Sequence, residues 1–369
     1  MGREQTGPGW LEQGMAEWLC RFFTRHNILH RYDQIESGRG NVIARIDGAA
    51  DRPTILVDAH QDTVPVAGMT INPFDPLERD GRLYGRGACD VKGAMAAILS
   101  AVVRLNHIDP RSRANVIVSM TCDEELGQIG VRDLMRRLAS GDPFFPRKPD
   151  MAVVAEPTQL DVVVAHKGVL RWRIQTDGVA VHSSRPSQGN SAIYAMAKIV
   201  GALERLADEL QTSGPEHPLC GRPTLSVGTI NGGESVNIVP DRCVIEVDRR
   251  VIPGESFDAI LQETRQWISR QTKIEFQMLP PDTTCEPLLD RKNDSLAESL
   301  VATTRKTVGS SRPIGVAFTT QAPQFADAGI PTVVFGPGSI EQAHTKDEWI
   351  QIEQMDQCSE ILYDWITGF

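Results

Sequence analysis

Three apolar runs, each ending on acids or a histidine, constrain this chain more than any other feature. Thr54-Ile55-Leu56-Val57-Asp58-Ala59 stops at His60-Gln61-Asp62. Asn115-Val116-Ile117-Val118-Ser119-Met120-Thr121-Cys122 stops at Asp123-Glu124-Glu125, and Met151-Ala152-Val153-Val154-Ala155 stops at Glu156-Pro157. Runs that are apolar throughout are strands buried on both faces, hence parallel and covered by helices. Ligands of such sheets bind at the carboxyl ends of the strands. The polar groups are therefore expected along one edge of a mixed, mostly parallel α/β sheet.

Between the first two runs lies Gly85-Arg86-Gly87-Ala88-Cys89-Asp90-Val91-Lys92-Gly93, a glycine-rich turn with one aspartate. A histidine, an aspartate, a glutamate pair and a lone glutamate make a mixed nitrogen and oxygen donor set. That set suits zinc, or a related ion such as cobalt or manganese. Carboxylates gathered without a cation would repel one another and raise their own pKa values. Taken singly, the pieces have plainer readings. Asp90 fits a helix cap for the apolar run 91–105, and Glu124-Glu125 fits an acidic helix start. Glu156 before a proline fits an ordinary turn. What favours the metal is that all four fall at strand ends of one sheet.

Here the chain resembles a family of zinc-dependent hydrolases. Its members are aminoacylases, acetylornithine deacetylases, succinyl-diaminopimelate desuccinylases and carboxypeptidase G. The resemblance rests on His60-Gln61-Asp62-Thr63-Val64-Pro65, the 85–93 turn, Asp123-Glu124-Glu125-Leu126-Gly127, Glu156-Pro157-Thr158 and Ala343-His344-Thr345. These stand in the family's order and cover nearly the whole chain. The resemblance implies two zinc ions per chain, with cobalt or manganese able to substitute. It implies His60 and Glu156 on one ion, Glu125 and His344 on the other, and Asp90 bridging. It makes Asp62 the residue that orients His60, and Glu124 the general base acting on water.

The chain has 369 residues, which implies two domains. No run of about 18 apolar residues is present, so no membrane span is expected. Net charge is -10, which argues against nucleic acid as a partner. The start, Met1-Gly2-Arg3-Glu4-Gln5-Thr6, lacks the apolar core of a signal peptide and reads as a Gly/Pro tail, though it loosely matches a myristoylation pattern. Seven scattered cysteines without a Cys-x-x-Cys pair read as reduced thiols of a cytoplasmic protein. Cys89, beside Asp90, is a packing residue or a point of inhibition.

Residues 10–23 are expected as an opening helix, 41–46 as a strand, and Asp80-Gly81 as a hairpin turn. After Gly168 the pattern changes. Strand 169–175, helix 190–210, strands 224–230 and 243–251, helix 257–270 and strand 274–278 follow in β-α-β-β-α-β order, the ferredoxin-like arrangement. The expected organisation is a catalytic domain in 1–168 and 283–369, with an inserted lid and dimerisation domain in 169–282. Within the returning part, 295–308 and 354–365 are expected as helices and 331–336 as a buried strand.

The resemblance also places substrate groups in the lid. His182 would hold the oxyanion, Asn237 would touch substrate, and Arg250 would grip the substrate carboxylate with its planar fork. The expected substrate is a small N-acyl amino acid such as N-acetylornithine, with desuccinylase or dipeptidase action as alternatives. A metal-free binding homologue is a further alternative, against which the complete donor set argues. Many relatives carry a Thr-Asp pair before the last strand, where this chain has Phe318-Thr319-Thr320-Gln321-Ala322-Pro323-Gln324; the missing acid weakens the ornithine reading. A homodimer is expected, with 169–175 and the 190–210 helix free to pair, and with His182 reaching the partner's site as it does in some relatives.

Overall fold

The computed structural model describes residues 11–369; the Gly/Pro tail and Trp10 lie outside the described residues. Helix α1 (Gln13–Arg25) leads to the hairpin β1 (Leu29–Glu36) and β2 (Arg39–Ile46). Then come β3 (Thr54–His60), the short hairpin β4 (Leu77–Arg79) and β5 (Arg82–Tyr84), α2 (Gly93–Asn106), β6 (Asn115–Thr121), α3 (Ile129–Ala139), β7 (Met151–Val154) and β8 (Val162–His166). The middle stretch holds β9 (Gly168–Asp177), β10 (Val181–His182), α4 (Ala192–Thr212), β11 (Thr224–Gly232), β12 (Ile238–Val239), β13 (Arg242–Val251), α5 (Phe257–Thr272), β14 (Gln277–Met278) and β15 (Thr283–Cys285). The chain closes with α6 (Asp294–Val308), β16 (Pro313–Val316), α7 (Ala322–Asp327), β17 (Thr332–Val334), β18 (Trp349–Gln351) and α8 (Ile352–Thr367).

Two compact units result. One runs through Val164 and resumes at Asp290–Ile314 and Thr320–Phe369; the other is Ala165–Leu289 with Gly315–Thr319. The long sheet has the order β1-β2-β6-β3-β7-β17-β8-β16. At its centre β3 pairs in parallel with both β6 and β7, and β17 pairs in parallel with β7. Every residue of β3 is buried, as an uninterrupted apolar run in mid-sheet requires. Ala94, Ala97 and Ala101 of α2 give a close-packed face in a core shared with Val57, Val118, Ile361 and Trp365. At the Asp80-Gly81 turn both φ angles are positive (53° and 71°), the hairpin geometry that a glycine in second place favours.

The second unit has a sheet of order β11-β13-β9-β14, with β15 also on β9. Numbering its four main strands one to four along the chain gives 2-3-1-4, all antiparallel, with α4 and α5 as the two helices. Trp172 and Ile174 from β9, Met196 and Ile199 from α4, and Ile245 and Val247 from β13 pack in its core. The expectation that 169–175 is free to pair is corrected here. β9 is flanked by β13 on one side and by β14 and β15 on the other, so its ladder is already filled. One end of the sheet is β11, where Ile230 is exposed. Alternation showed that one face of 169–175 is covered, but not that both its edges are.

His166 is fully buried, and its Nδ1–H donates to the Lys167 carbonyl at 2.9 Å. Burial pushes its pKa down from 6.5 to about 4. The folded state therefore binds a proton less readily than the unfolded chain, and stability falls as pH drops from about 6.5 towards 4. The loss between pH 7 and 4.5 comes to about 2–3 kcal/mol. In urea titrations with chelator present, His166→Asn is expected to flatten that decline relative to wild type. An equal decline in both proteins rejects His166 as its source.

Candidate metal centre

The strand register brings the charged groups together. His60 lies opposite Thr121, and Asp58 opposite Val154, so continuing the register sets Glu156 level with His60. One donor atom each from His60, Glu124 and Glu156 lie within 4.8 Å of one another, as do those from His60, Asp90 and Glu125. Asp90 addresses both histidines, one oxygen each. Its Oδ1 is 3.0 Å from His60 Nε2 and its Oδ2 is 3.1 Å from His344 Nε2. His344 Nε2 also lies 3.2 Å from Glu125 Oε1.

Asp90 is not a helix cap. Helix α2 begins at Gly93, and the aspartate's carboxylate faces the imidazoles instead. Nor do Glu124 and Glu125 open a helix: they lie in the loop before α3, which starts at Ile129. That loop is pinned by buried charges. Asp123 adopts a left-handed φ of 62°, its N–H donates to Glu12 at 3.1 Å, and its carboxylate pairs with Arg39, which also binds Glu12 at 3.0 Å.

Asp62 holds two things at once. Its carboxylate accepts the N–H groups of Glu124 (3.0 Å) and Glu125 (3.1 Å). His60 Nδ1 lies 3.0 Å from the Asp62 main-chain carbonyl and 3.6 Å from its Oδ1. The carbonyl is thus the nearer partner, because the carboxylate is already claimed by two peptide N–H groups. Either way His60 directs Nε2 at Asp90.

The electrostatics are those of a cation site. Burial, helped by Glu125, Asp62 and Asp90 against the pull of His60, pushes Glu124 up to about 8. Burial and the neighbouring Asp90 raise Glu156 well above the carboxylate range. Glu156 accepts no hydrogen bond from any described residue. Burial alone would depress His60, yet the Asp62 and Asp90 carboxylates carry it well above 6.5. Hydrogen bonds to Asp90 and Glu125 raise His344 to about 10. Imidazole nitrogen and carboxylate oxygen are the donors that zinc, cobalt or manganese accept, so the residues fit such ions.

His182, Asn237 and Arg250 lie in the second unit. His182 pairs across β10 and β12 with Ile238, and the Ser183 N–H donates to the Asn237 carbonyl at 2.9 Å, so these two neighbour each other on an exposed edge. Arg250 is on β13, where its Nε donates to Asp248 at 3.1 Å. Sequence reasoning missed several supports. Lys92 Nζ donates to the Gln61 carbonyl at 2.9 Å. Gln321 donates to the fully buried Asp58 and to Thr121 Oγ1 (2.8 Å), beneath His60. Arg86 and Glu348 pair at 2.6 Å beside Asp90. None of these has a periodic or spacing signal.

The family model for peptidase family M20/M25/M40 matches residues 56–368. Acetylornithine deacetylase of Vibrio parahaemolyticus is 32% identical, over 97% of this chain and 92% of the relative. The M20 family metallo-carboxypeptidase Sso-CP2 of Sulfolobus solfataricus superposes with a TM-score of 0.77 at 19% identity, over 96% of this chain and 93% of that one. The YXEP protein of Bacillus subtilis, a dinuclear metal-binding peptidase from the M20 family, gives a TM-score of 0.67 at 17% identity, covering 97% and 92%.

Proposed function

This chain belongs to peptidase family M20/M25/M40, and from that membership we propose that it removes the acyl group from a small N-acyl amino acid. It is a hydrolase acting on amides. The observation that carries the proposal is the Asp90 carboxylate shared between His60 and His344, with Glu124 half-buried alongside. In this reading His60 and Glu156 would hold one metal ion, Glu125 and His344 the other, and Asp90 would serve both. Zinc is the proposed ion. Bound metals supply Lewis acidity towards the amide carbonyl and lower the pKa of water. Glu124 takes the proton from the attacking water and passes it to the departing amine. Asp62 keeps His60 turned and the Glu124–Glu125 loop in place. His182 donates to the oxyanion, Asn237 contacts the substrate, and Arg250 pairs with its carboxylate.

N-acetylornithine is the first substrate to try, since the curated relatives bear that name. A second reading, desuccinylase or dipeptidase action, is favoured by Thr319-Thr320 standing where many relatives carry a Thr-Asp pair. The test is turnover of a panel of N-acetyl and N-succinyl amino acids and dipeptides, each alongside its C-terminal amide. Arg250→Ala is expected to raise KM about 10- to 100-fold for the acids and far less for the amides, the loss of a charge-assisted contact. Equal loss on both makes Arg250 structural, and no turnover of any panel member rejects the proposal. We also take the protein to be cytoplasmic, in line with its seven free cysteines, and to dimerise through the β11 edge. Sedimentation of the purified chain as a monomer would count against the dimer. Among the described residues no helix is long and apolar enough to cross a membrane.

A further inference from the structure

The turn that presents Asp90 is organised from below by one carboxylate. Glu348 is fully buried and follows His344 by four residues. Its Oε1 accepts the N–H groups of Cys89 (2.9 Å) and Asp90 (3.0 Å). Its Oε2 accepts the N–H of Gly87 (2.9 Å) and the Arg86 guanidinium (2.6 Å). Four donors on two oxygens leave the group no slack. Its own backbone is fixed too: β18 pairs with β5, Trp349 opposite Tyr84, and the Gly85 N–H donates to the Glu348 carbonyl at 3.1 Å. Gly87 makes the convergence possible. Its φ is 78°, and a Cβ there would meet Thr63 Cγ2 at 2.7 Å.

Arg86 carries the arrangement to the other two donor-bearing segments. Its NH2 donates to the Pro65 carbonyl (3.3 Å), just past His60–Asp62, and to the Thr345 carbonyl (3.2 Å), next to His344. One buried ion pair therefore ties together the segments that carry His60, Asp90 and His344. Asp90 must place two oxygens against two different histidines, so a small rotation of its peptide misaligns both.

We infer that Glu348, with Arg86, is the positioning residue that sets Asp90 as the bridge between two ion positions, an inference that rests on the two-metal reading. Glutamine at 348 has the same shape but the wrong chemistry. Whichever way its amide turns, the NH2 group faces two donors, either Gly87 with Arg86 or Cys89 with Asp90.

The experiment is titration of metal-free protein with zinc ions against a chromophoric chelator, with steady-state kinetics alongside. Wild type is expected to take up two ions. Glu348→Gln is expected to bind the more weakly held ion about 10- to 100-fold less tightly, the usual cost of losing a group that orients a ligand. Its kcat should fall by a similar factor while KM stays within about twofold, since substrate contacts are untouched. Wild-type affinity for both ions in Glu348→Gln overturns the inference, whatever happens to its melting temperature. Should Glu348→Gln not be recovered folded, Arg86→Lys decides. Lysine keeps the charge but not the forked reach to Pro65 and Thr345, so weaker binding of the second ion is expected and unchanged binding overturns the inference. Wild type that takes up no zinc overturns the metal reading itself, and this inference with it.

Discussion

Glu124→Gln is expected to yield a folded protein that still binds its metal ions but turns over ~10²–10⁴-fold more slowly, the range for a lost general base. The substitution is close to isosteric. It keeps the backbone N–H that donates to Asp62, and so leaves the loop's anchor in place. What it removes is the proposed proton acceptor. Glu124 is suited to that task because burial lifts its pKa to about 8 in the absence of a cation, and nearby positive charge lowers it again. Glu125→Gln supplies the contrast, since its carboxylate lies 3.2 Å from His344 and should weaken metal binding instead. Glu124 also stands within 4.8 Å of His60 and Glu156 donors, so metal content must be measured with the rate. Near-normal turnover in Glu124→Gln would falsify its assignment as the base. Slow turnover with lost metal would make it a ligand.

Stripping the metal should have the largest effect of all. Chelated protein is expected to be inactive and to regain activity on addition of zinc or cobalt, with one to two equivalents of ion in the purified wild type. Stability should fall as well. A ligand at a thousand times its Kd stabilises the native state by about 4 kcal/mol. At this centre the effect has a visible origin, because Glu156 is buried with no hydrogen bond from a described residue. Unfolding in denaturant, with and without chelator, reads that difference. Full activity in protein shown by elemental analysis to be metal-free would end the two-metal account.

Much of this was legible in the sequence, for a physical reason. A strand buried on both faces tolerates few polar residues, so β3, β6 and β7 announce themselves, and so does the point where each run stops. Amphipathic α4 and α5 with alternating β9 and β13 reveal the second unit in the same way. The strand β1 did not show, because it is a polar, half-exposed edge strand whose pairing is supplied by β2. β8 and β16 frame the crossing into the second unit, and β16 is too short and mixed to stand out. At the candidate centre, His60 and Glu156 stood out as polar residues where apolar runs stop. Their supports did not, because Glu348, Arg86 and Gln321 act through contacts across roughly 260 residues of chain that leave no local pattern.

The proposed donors of the centre are scattered along the chain, which bears on the nascent protein. His60, Asp90, Glu125 and Glu156 are all synthesised before the second unit, whereas His344 comes roughly 190 residues after Glu156. At about 5–20 residues per second, the ribosome needs roughly 10–40 s to travel from one to the other. Through that interval the first four donors have neither the last imidazole nor the Glu348 carboxylate that braces Asp90. On the proposed two-metal reading, the nascent chain would carry an incomplete donor set through that period. Metal taken up then would be held by an incomplete set of donors, and selection of the right ion would fall to the final step of synthesis, when the segment around His344 arrives.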